Sequence, residues 1–292
     1  MELPVLISPK ELSELQASQK IVILDTRDPD DFAKEHIPGA VNVRKLFTYL
    51  VEDSTPETLT KLQTDFAEIL GAAGLSGSEP AVIYEEALNK GYGQSCRGYF
   101  ILKYLGYPQV GVLHGGYMAW KQAGLPVTAE TTTPEPKTFP MNVSDAILLT
   151  KEDMLKAIAD PGIVKLDVRD FDEWQGDSSS PYGVDFCPRK GRIPGAVWIE
   201  WYRMMEPGAE IPTFKSTDEI LKVCDEVGIS PDMPVYVYCF KGSRAANTLI
   251  ALKQAGFKDV RNYFSSWNEW SRDPELPIEE GAPDPQKMAA KV

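Results

Sequence analysis

The sequence predicts an α/β fold made of two tandem domains, each a parallel sheet flanked by helices. Ordered motifs occur twice along the 292 residues, which is the pattern of an internal repeat. Within each copy, short apolar segments alternate with helix-like segments, as in chains that form parallel sheets. The segment 235–238 is β-branched and aromatic throughout rather than alternating, which is typical of a strand buried on both faces.

The first element of each copy is a helix with a capping-box start, at Ser8 and at Thr150. A short strand follows and ends in an Asp-x-Arg sequence, at 25–27 in the first copy and at 167–169 in the second. Both elements are displaced by 142 positions, from 8 to 150 and from 25 to 167. The constant offset indicates a tandem duplication.

The later elements keep the same order with small changes in offset. Ile-Pro-Gly-Ala occurs at 37–40 and again at 193–196, so the offset rises from 142 to 156 and the second copy holds about 14 extra residues. The buried strands, at 80–84 and 234–238, are offset by 154. A helix follows the second of these strands, with Gly256 placed where a C-terminal cap belongs.

These offsets divide the chain into four parts. We expect a first domain at 1–128, a linker at 129–145, a second domain at 146–278 and a C-terminal tail at 279–292. The linker is rich in proline and threonine, which favours an extended segment. The tail has no apolar periodicity, so we expect it to be frayed surface.

Composition excludes several classes of function. The net charge of −13 has the wrong sign for a protein that binds nucleic acid. No apolar stretch approaches the roughly 20 residues that span a bilayer, and the N-terminus lacks a signal-peptide pattern, so we expect a cytoplasmic protein without membrane contact. Both histidines lie in the first copy, which argues against a metal site in the second. We expect no metal, no cofactor and a monomeric chain.

Four cysteines are too few for a disulfide scaffold but leave open a single reactive thiol. Cys239 directly follows the buried strand and begins a six-residue loop that leads into a helix. Unpaired N–H groups and the helix dipole at such a place favour a thiolate. Lys241 and Arg244 add positive charge, and Gly242 permits the turn of the backbone. We therefore predict that Cys239 is a nucleophile rather than an inert core cysteine.

The other positions that correspond to Cys239, or carry a thiol, have different predicted roles. At the offset of 154, Cys239 corresponds to Glu85, and a carboxylate cannot be a sulfur nucleophile. We therefore expect the first domain to be non-catalytic. Cys96 and Cys224 are predicted to pack in the core. Cys187 lies in the extra segment, and its role stays open, with a second, exposed thiol as one alternative.

In this order and in two copies, the motifs resemble the tandem-domain rhodanese family (thiosulfate/3-mercaptopyruvate sulfurtransferases). The resemblance is carried by the Asp-x-Arg strand ends, the segment 36–40, the loop 239–244 and the segment 267–270, and it covers nearly the whole chain except the tail. It implies that the second domain is catalytic. It also implies that Cys239 takes sulfur from a small anionic donor as a persulfide and passes it to a thiophilic acceptor. Cyanide would serve in vitro, and a thiol or a thioredoxin-like protein in the cell.

The resemblance also implies roles for residues around the thiol. The backbone N–H groups of 240–244 would surround the terminal sulfur, and Lys241 would hold the anionic donor. Arg244 has two open roles, to orient the donor or to tie the loop to the domain. Trp267 is expected to form a wall of the pocket.

Two Asp–Arg pairs are predicted to be structural. Both copies keep Asp25 with Arg27 and Asp167 with Arg169, although only one copy keeps the cysteine. We expect ion pairs that hold neighbouring loops, with substrate contact by Arg169 as the alternative.

The identity of the donor stays open. Thiosulfate-preferring members of the family carry basic residues after the cysteine, so Lys241 favours thiosulfate over 3-mercaptopyruvate. Phe240 and Arg244 depart from the usual tandem pattern, and Glu173 stands where mercaptopyruvate enzymes have an arginine. A persulfide-carrying relay or regulatory module is a further alternative, because Phe240 is large enough to obstruct small donors.

A cysteine-dependent phosphatase or arsenate reductase of related fold is disfavoured. Their loops place five residues between cysteine and arginine, which makes room for a tetrahedral oxyanion. Here only Phe240, Lys241, Gly242 and Ser243 intervene.

Overall fold

The computed structural model describes residues 3–291, which form two compact α/β units. The first unit contains the residues up to Tyr49, Leu59–Ser144 and Gly208–Thr213, and the second contains Leu50–Thr58, Asp145–Pro207 and the residues from Phe214 onward. The main division, after Ser144, lies close to the start that the repeat predicts for the second domain. The two short exchanged segments have no signal in the repeat pattern.

The first unit is a five-stranded parallel sheet with helices packed around it. Its strands lie in the order β1-β5-β4-β2-β3. The central strands β2 and β4 are buried along their whole length, as their apolar sequences predict. The elements are β1 (Leu6–Ile7), α1 (Pro9–Ser18), β2 (Val22–Asp25), α2 (Pro29–Lys34), β3 (Ala40–Asn42), α3 (Lys45–Thr48), α4 (Pro56–Ala72), β4 (Ala81–Tyr84), α5 (Gln94–Tyr104), β5 (Val110–Leu113) and α6 (Gly116–Gln122).

The second unit repeats this topology, with the strand order β6-β10-β9-β7-β8, again all parallel. The predicted fold class, two tandem α/β domains with parallel sheets, is therefore confirmed. The elements are β6 (Leu148–Leu149), α7 (Lys151–Ala159), β7 (Val164–Asp167), α8 (Phe171–Gln175), β8 (Val197–Trp198), a 3-10 helix (Trp201–Met204), α9 (Thr217–Asp225), β9 (Val235–Tyr238), α10 (Ser243–Gln254), β10 (Val260–Tyr263), α11 (Ser266–Trp270) and a second 3-10 helix (Pro285–Lys287).

The helix ends follow the signals in the sequence. Ser8 and Thr150 both form capping boxes, in which the hydroxyl accepts from the third helical N–H and the side chain there accepts from the cap N–H. After α10 ends, Gly256 has φ +89°, the left-handed conformation that closes a helix without a Cβ penalty.

The linker and the tail both make contacts with the folded units. In the linker, the N–H of Lys137 donates to the carbonyl of Gly71, and Phe139 stacks on Tyr107 with ring centroids 5.5 Å apart. The tail, expected to be frayed, is instead held by main-chain pairing: the N–H of Ala289 donates to the carbonyl of Trp198 at 2.9 Å. The error arose because these contacts are long-range and leave no periodicity in the tail. Within 3–291, none of the helices combines the length and the apolar character needed to cross a membrane.

Candidate active site

Cys239 lies at the carboxyl end of β9, the central strand of the second sheet, where ligands of parallel α/β sheets bind. The strand is buried throughout, and the four residues between its end and α10 form a tight loop. Gly242 makes this loop possible with φ +83°, and a Cβ there would lie 2.9 Å from the carbonyl oxygen of Phe264. No other residue type fits that position without displacing the backbone.

The thiol of Cys239 faces the amide groups of its own loop. The N–H of Gly242 donates to Sγ at 3.2 Å, and the cysteine is 1% exposed. Ser243, the first residue of α10, has a buried hydroxyl without a hydrogen-bond partner. An N–H donor and a helix N-terminus at a sulfur stabilise negative charge on it.

The turn that begins α11 holds the backbone of the loop 239–242. The N–H of Cys239 donates to Oγ of Ser266 at 3.1 Å, and the N–H groups of Trp267 and Asn268 donate to the carbonyls of Cys239 and Phe240, each at 3.0 Å. Ser266 has φ +55°, a costly conformation for a residue with a side chain. This role of Ser266 has no signal in the sequence, because serine is an ordinary residue in turns.

Arg244 is held by carboxylates of the segment around α8. Its guanidinium pairs with Glu173 and, at 3.0 Å, with Asp170, and its side chain is only 3% exposed. Burial raises the pKa of Glu173, while the charge of Arg244 opposes that rise. Of the two roles left open by the sequence, these contacts match tying the loop to the domain. Asp170 was missed by the sequence analysis because its partner lies 74 positions away.

Phe240 and Lys241 both meet the extra segment of the second unit. Phe240 is buried, with its ring centroid 4.8 Å from that of Tyr182. Lys241 is half-buried, and its Nζ lies 5.8 Å from the centroid of the Tyr182 ring. The cation of Lys241 therefore lies over an aromatic face beside the loop, in a geometry that favours the charged side chain.

Asp167 and Arg169 form a buried cluster below the loop. Their ion pair is 2.6 Å long, and both side chains are fully buried. The hydroxyl of Tyr238 donates to Asp167, and the guanidinium carbon of Arg169 lies 4.4 Å from the ring centroid of Trp267. Trp267, expected to form a wall of the pocket, is itself fully buried and packs against the guanidinium of Arg169.

The equivalent pair of the first unit has the same form. Arg27 contacts Asp25 at 2.8 Å, and it also reaches Glu86 at 3.2 Å.

The remaining cysteines are buried. Cys187, whose role the sequence leaves open, is 0% exposed and packs in the core with Trp174 and Trp267. The alternative of an exposed thiol is therefore wrong, because the extra segment turns inward at this residue. Burial raises the pKa of the Cys187 thiol and raises that of Cys224 to about 12, so both are weak nucleophiles near neutral pH. Cys96 is also buried, in α5.

In the first unit, a carboxylate occupies the place of the thiol. Glu85 directly follows β4, and its carboxylate accepts from the N–H groups of Gln94 and Ser95 at 3.0 and 3.3 Å and from the hydroxyl of Ser95 at 2.7 Å. These amides begin α5, so their hydrogen-bond acceptor at this helix N-terminus comes from within the chain. Burial raises the pKa of Glu85 to about 8. The longer loop closes over it at Gly91, where a Cβ would lie 2.2 Å from Oε2 of Glu85.

The chain is similar to several characterised proteins. A thiosulfate sulfurtransferase of Azotobacter vinelandii is 26% identical over 95% of this chain and 97% of its own length. The sulfur carrier protein TtuD of Thermus thermophilus is 28% identical over 95% and 97%. A solved structure of an EanB variant with ergothioneine superposes with a TM-score of 0.81 at 25% identity, covering 96% of this chain and 71% of that one. The rhodanese-like domain matches twice, at 8–123 and at 150–273, and with the repeated sheet topology this shows that the chain belongs to the rhodanese-like domain family.

Proposed function

We propose that the protein is a sulfurtransferase that takes sulfane sulfur from thiosulfate onto Cys239 and passes it to a thiophilic acceptor. The observation that carries the proposal is the Cys239 thiol, placed at a strand end with the Gly242 N–H donating to its sulfur. The similarity to a thiosulfate sulfurtransferase and to a sulfur carrier protein supports the same chemistry. In the cell the acceptor would be a thiol, and cyanide would replace it in an assay.

The reaction would run in two steps. The thiolate of Cys239 attacks the outer sulfur of thiosulfate, the S–S bond of the donor breaks, and sulfite leaves with the electron pair of that bond. The protein then carries a persulfide. In the second step the acceptor attacks the terminal sulfur, and the electron pair of the persulfide bond returns to Cys239 as a thiolate.

Some residues of the loop would stabilise or attract negative charge, and Arg244 would position the loop. Backbone N–H groups and the buried hydroxyl of Ser243 are donors for the anionic persulfide. Lys241 would attract the donor dianion to a chain that is otherwise strongly acidic. Arg244, neutralised by Glu173 and Asp170, would position the loop rather than bind the donor.

A second candidate is a persulfide relay with slow turnover of small donors. It is favoured by Phe240, which is buried under Tyr182 directly beside the thiol, and by the similarity to a sulfur carrier protein. The donor 3-mercaptopyruvate remains the alternative to thiosulfate within the enzyme class.

The direct test is the intact mass of the protein after incubation with thiosulfate and removal of excess donor. We expect an increase of about 32 Da, the mass of one sulfur, on the peptide that contains Cys239, because the persulfide is covalent. Loading by 3-mercaptopyruvate alone would change the donor but keep the class. No added sulfur from either donor would overturn the proposed function.

Replacing Lys241 by alanine should raise the KM for thiosulfate about tenfold while changing kcat little, because one charge-assisted contact to the donor is lost. The variant Lys241→Arg keeps the charge and is the matched control. Steady-state kinetics at two ionic strengths measure the effect. Added salt screens the charge of Lys241, so the difference in KM between the parent chain and Lys241→Ala should become smaller. A defect confined to sulfur delivery to the acceptor would contradict the assigned role.

A further inference from the structure

The extra segment of the second unit, residues 177–192, presents an apolar tip to solvent. The six residues 181–186 are all exposed. Three of them are large and apolar: Tyr182 is 47% exposed, Val184 56% and Phe186 42%. Within 3–291, the other exposed large apolar residues are scattered singly along the sequence. A concentration of such residues on a protein surface is typical of a binding site.

The base of this segment is fixed to the second unit. Arg189 donates to the carbonyls of Trp270, Ser271 and Leu276 at 2.7 to 2.9 Å, and the amide of Cys187, a core residue, donates to Gly183 at 3.1 Å. The tip is therefore a preorganised surface, and binding to it would cost little ordering entropy. Packing within the chain does not account for the exposed apolar surface of this tip.

The tip contacts the loop 239–242 through the side chain of Tyr182. Tyr182 contacts Phe186 on one side, with ring centroids 5.6 Å apart, and Phe240 on the other, at 4.8 Å. Phe240 follows Cys239 directly in the chain. A partner that covers the tip would therefore lie beside the loop that holds Cys239.

The charges at the tip favour an acidic partner. Lys241 lies over the ring of Tyr182, and Arg272 donates to the carbonyl of Phe186 at 2.9 Å, whereas Asp185 is the acidic residue of the tip itself. On a chain of net charge −13, a cationic rim around an apolar tip is a local exception. Such a rim attracts a segment that carries acidic side chains.

The burial of Cys239 limits the shape of that partner. At 1% exposure, its sulfur is out of reach of a thiol on a flat protein face. Transfer to a protein thiol therefore requires that the thiol lie on a narrow, extended segment, held at the loop by neighbouring residues.

We propose that the tip formed by Tyr182, Val184 and Phe186 is a docking surface for a protein acceptor, whose thiol lies on an extended segment with apolar and acidic flanking residues. The inference rests on the proposed function, because it concerns the second step of that reaction. The acceptor thiolate attacks the terminal sulfur of the Cys239 persulfide, a new S–S bond forms on the acceptor, and the old bond breaks to leave the Cys239 thiolate. The terminal sulfur keeps its negative charge and becomes the outer sulfur of the acceptor persulfide, so no further oxidant or reductant is needed.

The test compares two acceptors and two variants of the full-length chain. One acceptor is a synthetic peptide with a single cysteine between apolar and acidic residues, and the other is cyanide. The docking variant is Val184→Ser with Phe186→Ser, which leaves Tyr182 against the loop. The matched control is Leu155→Ser with Met233→Ser, two residues of the same unit that are 39% and 38% exposed.

The second-order rate of persulfide discharge to the peptide should fall at least fivefold in the docking variant and stay unchanged in the control. Discharge to cyanide should be the same in both. An unchanged peptide rate in the docking variant, or an equal fall with cyanide, would overturn the proposal. A dimer that dissociates in the docking variant would also overturn it, by assigning the tip to a second copy of the chain.

A binding measurement separates this inference from the proposed function. The same peptide, with serine in place of its cysteine and a fluorescent label, is titrated against the unloaded protein and followed by fluorescence polarisation. Binding that weakens at least fivefold in the docking variant supports the surface even if Cys239 never loads sulfur. Normal loading without peptide binding rejects the surface and keeps the proposed function.

Discussion

Replacement of Cys239 by serine is expected to lower thiosulfate:cyanide sulfurtransferase activity by about four orders of magnitude or more, the scale on which loss of a covalent nucleophile acts. A serine oxygen cannot carry the sulfane sulfur through an S–S bond. The fold should persist, because the change from sulfur to oxygen is small and the backbone of Cys239 is held by two hydrogen bonds: its N–H donates to Oγ of Ser266 and its carbonyl accepts from the N–H of Trp267. Rates are measured with both purified proteins at matched concentration, with melting temperatures as the check on folding.

The other cysteines supply matched controls for this result. Cys96→Ser and Cys224→Ser remove buried thiols and should keep the activity of the parent chain. Cys187→Ser is the sharper control, since Cys187 lies in the same core cluster as Phe240. Parent-like activity in Cys239→Ser, or added sulfur found on the Cys187 peptide, would reject Cys239 as the nucleophile.

The sequence was sufficient for the fold because the duplication tests each element twice. An apolar segment at 235–238 could be a strand or part of a helix, but the matching segment at 81–84 and the capping boxes at Ser8 and Thr150 leave one arrangement. The strand order then places Cys239 at the carboxyl end of a central strand. Local signals and the repeat thus predict that Cys239 lies between a buried strand and a helix.

The partners of the loop could not be predicted in the same way. Arg244 meets Glu173 and Asp170 only because β7 and β9 are neighbours in the sheet, and no spacing along the chain encodes that contact. The burial of Cys187 depends on how an insertion of unknown conformation folds back. Such features depend on tertiary packing rather than on periodicity.

Glu85 explains physically how the first unit keeps the fold without a thiol at the position equivalent to Cys239. The N-terminus of α5 offers N–H groups that need an acceptor, and Glu85 supplies one from inside the chain. The carboxylate is fully buried, however, and desolvation opposes its charge more strongly than the amide hydrogen bonds favour it. The balance raises the pKa of Glu85 from 4.5 to about 8.

This shift predicts that the first unit loses stability as the pH rises. Below pH 4.5 the carboxyl is protonated in both folded and unfolded states; between pH 4.5 and 8 the unfolded chain ionises while the folded one holds its proton. Each pH unit in that window should cost about 1.4 kcal/mol, up to about 5 kcal/mol in total, with a plateau above pH 8. Glu85→Gln keeps the shape and removes the titration, so its stability should lack this component.

Hydrogen exchange measured by mass spectrometry localises the effect. The peptide that spans β4 and α5 should lose protection about tenfold per pH unit between pH 5.5 and 7.5, after correction for intrinsic rates, and the Glu85→Gln peptide should not. The peptide that spans β9 and α10 is the internal control, because Cys239 replaces Glu85 there. Parallel pH profiles for the parent chain and Glu85→Gln would show that the buried carboxyl of Glu85 is not the group that titrates. The role of Glu85 at the N-terminus of α5 would then need another explanation.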